Sequence, residues 1–141
     1  MGATIPLVLF VCVENSCRSQ IAEGFARAIG QGQVKAFSAG SRPSGTVHPK
    51  AIRFMVERGI DLGPQRSKGL DDLPPGIQWD YVVTMGCGDA CPHLPAHHRV
   101  AWDLPDPKGM DDAGFREVRD RIETLVRSLI AEAAPLPPQG E

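Results

Sequence analysis

The feature that most limits what this chain can fold into is its first apolar run and the loop that follows. Residues 7–11 read Leu-Val-Leu-Phe-Val, apolar without interruption and rich in strand formers. Such a run suits a strand covered on both faces, the condition of a parallel sheet. A polar stretch, Cys-Val-Glu-Asn-Ser-Cys-Arg-Ser, occupies residues 12–19. Ile21, Ala22, Phe25, Ala26 and Ile29 then recur at helical spacing, and Gly30 reads as the stop. The polar loop therefore lies between the carboxyl end of a buried strand and the start of a helix, where open α/β sheets bind their ligands.

The same alternation continues. Residues 34–38 read as a second strand, ended by Ala39-Gly40. After a Pro/Gly/Ser-rich loop, His48-Pro49 opens a helix marked by Ala51, Ile52, Met55 and Val56 and closed by Gly59. Residues 79–85 form a third buried strand and residues 100–102 a short fourth. Phe115, Val118, Ile122, Leu125, Val126, Leu129 and Ile130 make one apolar stripe on a long final helix, with Asp111 or Asp112 as its cap. The expected fold is α/β: a single-domain three-layer sandwich with a mostly parallel sheet flanked by helices. Residues 1–133 are assigned to that domain and residues 134–141, with three prolines, to a flexible tail.

Composition narrows the functions. At 42% hydrophobic and 23% charged residues the chain is ordinary globular protein. Fifteen Lys+Arg against seventeen Asp+Glu give −2, which argues against nucleic acid as a partner. No run approaches the ~18 apolar residues of a membrane span. The apolar start, residues 5–13, lacks the basic flank and cleavage site of a secretory signal. A cytoplasmic protein without membrane association is expected, and there Cys12, Cys17, Cys87 and Cys91 would serve catalysis, redox chemistry or metal binding rather than a disulfide framework.

Cys12 and Arg18 enclose five residues at a helix start. The first N–H groups of a helix have no internal acceptor, and the helix dipole adds positive potential. A loop curled there aims the amides of Val13, Glu14, Asn15, Ser16 and Cys17 at one tetrahedral oxyanion, and the fork of Arg18 adds two donors. The same field favours a thiolate at Cys12, and Ser19 can donate to that sulfur. Nucleophile and oxyanion cradle thus share one short segment.

Residues 12–24, Cys-Val-Glu-Asn-Ser-Cys-Arg-Ser-Gln-Ile-Ala-Glu-Gly, resemble the low-molecular-weight protein tyrosine phosphatase superfamily, and more closely its arsenate reductase branch. The resemblance continues through Phe37-Ser-Ala-Gly40, His48-Pro-Lys-Ala-Ile52, Val82-Val-Thr-Met85, Cys91-Pro92 and Asp106-Pro-Lys-Gly109. It implies a four-stranded parallel sheet between helices. It also implies Cys12 as nucleophile, Arg18 as oxyanion ligand, Asn15 as the residue ordering the loop, Ser19 as the hydroxyl activating the thiolate and Asp106 as general acid. No cofactor and no metal are called for. Cys87, Cys91, His93, His97 and His98 are metal-ligating types, but their spacing is irregular.

Extra cysteines separate the two branches. A phosphatase or small phosphomonoester hydrolase needs only water after Cys12 has attacked. A reductase needs a second thiol to release arsenite. Cys87 and Cys91 stand where the reductases carry redox cysteines, and Lys108-Gly109 follows Asp106-Pro107 where the phosphatases place an aromatic residue. The expected activity is arsenate reduction, an arsenical-resistance function compatible with weak phosphatase side activity. Two recycling routes stay open. In one, Cys87 attacks Cys12, Cys91 attacks Cys87, and thioredoxin reduces the resulting disulfide. Only three residues separate Cys87 from Cys91, a tight spacing for that bond. In the other, mycothiol with mycoredoxin attacks the Cys12 adduct directly. Relatives that bind potassium do so through Asn, Glu, Ser and Asp. Asn15, Glu23 and Ser38 match three of these, and Lys68 stands in place of the Asp, so insensitivity to potassium is expected. Cys17 reads as a packing residue or as a protective disulfide partner of Cys12.

Overall fold

The computed structural model describes residues 5–86 and 94–133. Four strands, β1 (Leu7–Cys12), β2 (Lys35–Gly40), β3 (Trp79–Met85) and β4 (Ala96–Trp102), form one sheet in the order β2-β1-β3-β4. Every pairing is parallel, with Leu7 opposite Lys35, Val8 opposite Tyr81 and Met85 opposite Trp102. Among the described residues three α-helices flank the sheet: α1 (Arg18–Ile29), α2 (Pro49–Val56) and α3 (Asp112–Ala133). Among the described residues no helix is long and apolar enough to cross a membrane.

Both faces of β1 are covered, as its uninterrupted apolar run requires. Val8, Phe10 and Cys12 face the larger core with Ile21 and Phe25 of α1, Phe54 of α2 and Phe115 and Ile122 of α3. Leu9 and Val11 face a smaller cluster with Ala39, Trp79 and Val82. Its cover is Leu70, Leu73 and Ile77 from the segment around a 3₁₀ turn, Leu70–Asp72. The third layer is thus a turn and extended chain rather than an α-helix among the described residues. The chain runs from β1 to β2 on one side and then to β3 on the other. The strand order therefore reverses between β1 and β3, and the crevice beyond their carboxyl ends is the topological switch point.

Several local expectations are refined. Gly30 ends α1, but at φ −98° it is not left-handed. A Cβ there would lie 2.7 Å from Val34 Cγ2 and 2.8 Å from the Ala26 carbonyl, so the position requires space. Gly59 does take φ +73°, and the Ile60 N–H behind it donates to the Met55 carbonyl at 3.0 Å, the left-handed stop expected for α2. The α2 stripe is Ala51, Phe54 and Met55, whereas Val56 is 61% exposed. Strand β4 is seven residues long because the exposed His97, His98 and Arg99 belong to it, with His98 stacked on Tyr81 at 4.7 Å. Asp111 caps α3 by accepting the Gly114 N–H at 2.8 Å. The tail, residues 134–141, lies outside the described residues, as do Cys87, Cys91 and His93.

Candidate active site

Residues 13–17 leave the end of β1 and curl back to the first turn of α1. Three of their carbonyls are drawn outward into neighbouring loops. Val13 accepts from the Arg42 N–H at 2.8 Å, Glu14 from the Ser44 N–H at 3.0 Å, and Ser16 from the His48 N–H at 3.0 Å. Glu14 also accepts from the Ser67 hydroxyl at 3.0 Å. With the oxygens turned away, the N–H groups of residues 13–17 find no protein acceptor among the described residues. Unpaired amides are rare in a folded interior, and a run of them forms an anion-binding nest.

Asn15 holds this curl. It takes φ +51°, a left-handed conformation that asparagine tolerates better than most residues. Its Oδ1 accepts from Gln20 Nε2 at 2.9 Å and from the Lys68 N–H at 2.8 Å, while its Nδ2 donates to Ser19 Oγ at 2.8 Å. Gln65 in turn donates to Gln20 Oε1 at 2.7 Å. Asn15 is thus behind the cradle rather than on its wall. Gly40 lies under the same loop: a Cβ there would be 2.5 Å from the Val13 carbonyl and 2.9 Å from the Asn15 nitrogen.

The loop encloses a cavity of about 210 Å³. Cys12, Val13, Glu14, Ser16, Cys17, Arg18, Asp106 and Lys108 line it, with no aromatic side chain among them. Most small-molecule pockets occupy about 300–1,000 Å³, so this one suits a compact ligand. On the floor, Cys12 Sγ lies 2.8 Å from Ser19 Oγ. Since Asn15 donates to that hydroxyl oxygen, the Ser19 proton is left to point at the sulfur. Arg18 Nη1 donates to the Leu104 carbonyl at 2.9 Å, and Nη2 lies 4.0 Å from Asp106 Oδ2. Asp106 precedes a second 3₁₀ turn, Pro107–Gly109, and accepts the Lys108 N–H at 3.1 Å. Cys17 also faces the cavity, and its thiol is pushed up to about 12, chiefly by burial and then by the negative charges of Asp106 and Cys12. It stays protonated where enzymes work.

Behind the loop lies a buried carboxylate, Glu23. It takes a very short hydrogen bond from Ser38 and pairs with Arg27 at 2.5 Å. The Lys68 ammonium completes the group, 3.4 Å from Glu23 Oε1, 3.3 Å from Ser38 Oγ and 3.3 Å from the Arg66 carbonyl.

This geometry agrees with the comparisons. The sequence model of the low-molecular-weight phosphotyrosine protein phosphatases matches residues 7–135. The chain belongs to that family. Within it, the chain is 40% identical over 128 residues to a glutaredoxin arsenate reductase of Synechocystis sp., covering 89% of this chain and 96% of that one. It is also 40% identical over 125 residues to arsenate reductase 2 of Staphylococcus haemolyticus, covering 86% and 93%. A solved arsenate reductase in its phosphate-binding state superposes with TM-score 0.82 at 38% identity, covering 92% of this chain and all of that one. A thioredoxin-dependent arsenate reductase of Corynebacterium glutamicum superposes with TM-score 0.75 at 33% identity, covering 94% and 64%.

Of the residues singled out from sequence, Cys12, Ser19, Arg18 and Asp106 are brought together by this family fold. Tyr81, the single tyrosine, is away from the cavity, its hydroxyl donating to Glu132 at 3.1 Å. Sequence reasoning missed Gly86, which follows β3 at φ +72°. A Cβ there would lie 2.3 Å from Arg18 Nη1 and 2.9 Å from the Leu104 carbonyl. The only hint was a glycine on either side of Cys87. It also missed the ion pair between Glu14 and Lys108, for which the sequence carries no signal.

Proposed function

We propose that this chain reduces arsenate to arsenite and serves arsenic detoxification in the cytosol. The observation that carries the reading is the pairing of the Cys12–Ser19 contact with a nest of amides that, among the described residues, find no acceptor and share a cavity lined by no aromatic side chain. A bare tetrahedral oxyanion satisfies those amides, whereas a phosphotyrosine ring finds no apolar wall to grip.

In the first step the Cys12 sulfur attacks the arsenic. The amides of residues 13–17 and the guanidinium of Arg18 hold its oxygens and stabilise the charge that develops on them. One As–O bond breaks, and Asp106 supplies the proton with which that oxygen leaves as water. Arsenic is still pentavalent and is bound to sulfur. A second thiol then attacks Cys12 sulfur. An S–S bond forms, the As–S bond breaks, and its electron pair stays on arsenic, which departs as trivalent arsenite. Two thiols have lost two electrons and arsenic has gained them. A thiol reductant must restore Cys12 for the next turnover.

One source of the second thiol is a relay, in which Cys87 attacks Cys12 and Cys91 attacks Cys87, with thioredoxin reducing the outer pair. Direct attack by mycothiol, with mycoredoxin, is the competing route. Multi-turnover arsenite production, with each reductant system supplied separately to the purified chain and to Cys12→Ser, Cys87→Ser and Cys91→Ser, decides between them. Cys12→Ser is expected to be inactive with either. Full thioredoxin-driven turnover in Cys87→Ser would end the relay. Hydrolysis of p-nitrophenyl phosphate without any arsenite formation would end the reductase reading.

A further inference from the structure

The cavity has two walls from distant parts of the chain. One is the loop of residues 13–17. The other is the turn that carries Asp106 and Lys108. Glu14 on the first wall and Lys108 on the second meet in a close ion pair. We propose that this pair is a selectivity bar, admitting a bare tetrahedral oxyanion while obstructing the organic group of a monoester.

Depth comes first. The Glu14 and Lys108 side chains are 47% and 28% exposed, whereas Cys12 and Cys17 are each 3% exposed. The pair therefore spans the rim, above the floor where sulfur attacks. Fixation comes second. The Glu14 backbone is held by the Ser44 N–H and the Ser67 hydroxyl, and the Lys108 N–H is held by Asp106 Oδ1. The backbone is anchored at both ends, so closing the bar orders only the two side chains. Direction is the third point. In-line displacement places the leaving oxygen opposite the attacking sulfur, hence toward the rim. Arsenate carries only a hydroxyl there. A monoester carries carbon at that oxygen, and its chain must pass where Glu14 and Lys108 join. Charge is the fourth. The paired side chains cancel, so the bar adds little net field and leaves attraction of the anion to Arg18 and the amides.

The inference rests on Cys12 attacking a tetrahedral oxyanion, but its test does not pass through arsenite formation. Alkylation of Cys12 by iodoacetamide is followed in the full-length chain by mass spectrometry of the Cys12 peptide. Protection is titrated with inorganic phosphate and with phenyl phosphate, and the ratio of the two protection constants is compared for the wild type, Lys108→Met and Glu14→Gln. Opening the bar at either end is expected to shift that ratio toward the ester by about tenfold or more, the scale on which a pocket accepts or refuses one extra group. The two variants must shift it in the same direction. Ratios that move in opposite directions in the two variants overturn the bar. So does a ratio within about twofold of wild type in either variant. A wild type that forms no arsenite refutes the reductase reading, while the protection ratios still decide the bar.

Discussion

Gly86→Ala tests how the Arg18 arm is held. Two costs follow from the geometry, and they can be measured apart. Gly86 has φ +72°, so alanine brings the left-handed penalty of about 1–2 kcal/mol. Its methyl group would also sit 2.3 Å from Arg18 Nη1 and 2.9 Å from the Leu104 carbonyl, a pair joined at 2.9 Å. The guanidinium must move off that carbonyl, forfeiting a charge-assisted bond worth about 1.5–3 kcal/mol. Gly76→Ala is the control, because φ there is +77° and nothing lies within 4 Å of a Cβ. Urea unfolding should show Gly76→Ala losing only the backbone penalty, with unchanged arsenate reduction. Gly86→Ala should lose that much and more, and its kcat/KM for arsenate should fall about 100-fold, the usual consequence of moving a positioned group by an ångström. Equal stability losses in the two variants, with Gly86→Ala activity within about threefold of wild type, would refute the argument that this glycine makes room for Arg18.

Three further outcomes follow from the site and its supports. Arsenate reduction by the wild type should be the same in sodium and potassium salts, because the Lys68 ammonium already sits by Glu23 and Ser38; Lys68→Met should lose rate in sodium and regain it in potassium. Cys17, with its thiol pushed up to about 12, should resist iodoacetamide at pH 7 in a native-state mass-spectrometric labelling time course and react only after unfolding. Glu57 accepts from Arg116 and Arg119, and these bonds, Arg116 first, hold its carboxyl down at about 2. A depressed carboxyl contributes stability that is full above its unfolded value and lost as pH falls through the folded one. The urea midpoint of Glu57→Gln should therefore lie below wild type at pH 7, with the gap closing from about pH 4.5 toward pH 2.

The parts of the fold that could be read from sequence are those whose signal is local. Strand β1 and helix α1 declare themselves because an unbroken apolar run and an apolar spacing of 3.6 residues are both local patterns. Strand β4 is only half legible. As an edge strand it exposes His97, His98 and Arg99, which break any apolar alternation. Within α2 the stripe is misread by one face, since Phe54 is fully buried and Val56 is not. The cradle was readable because Cys12, the amides, Ser19 and Arg18 are contiguous. Its supports were not. The Arg18–Leu104 bond joins residues 86 positions apart, and the Gly86 clash and the Glu14–Lys108 pair exist only once distant segments meet. Cys87 and Cys91 fall outside the described residues.

The acceptor-free amides at residues 13–17 also bear on life in a cell. Whatever tetrahedral anion occupies them lends the native state stability by mass action, about 2.7 kcal/mol at a hundredfold excess over its dissociation constant. On the proposed reading, inorganic phosphate, nearly the same shape as arsenate, would compete for the same amides. The enzyme would then spend its idle hours plugged by a harmless look-alike that steadies it against heat, and the toxic anion would have to evict that tenant before any electron moves.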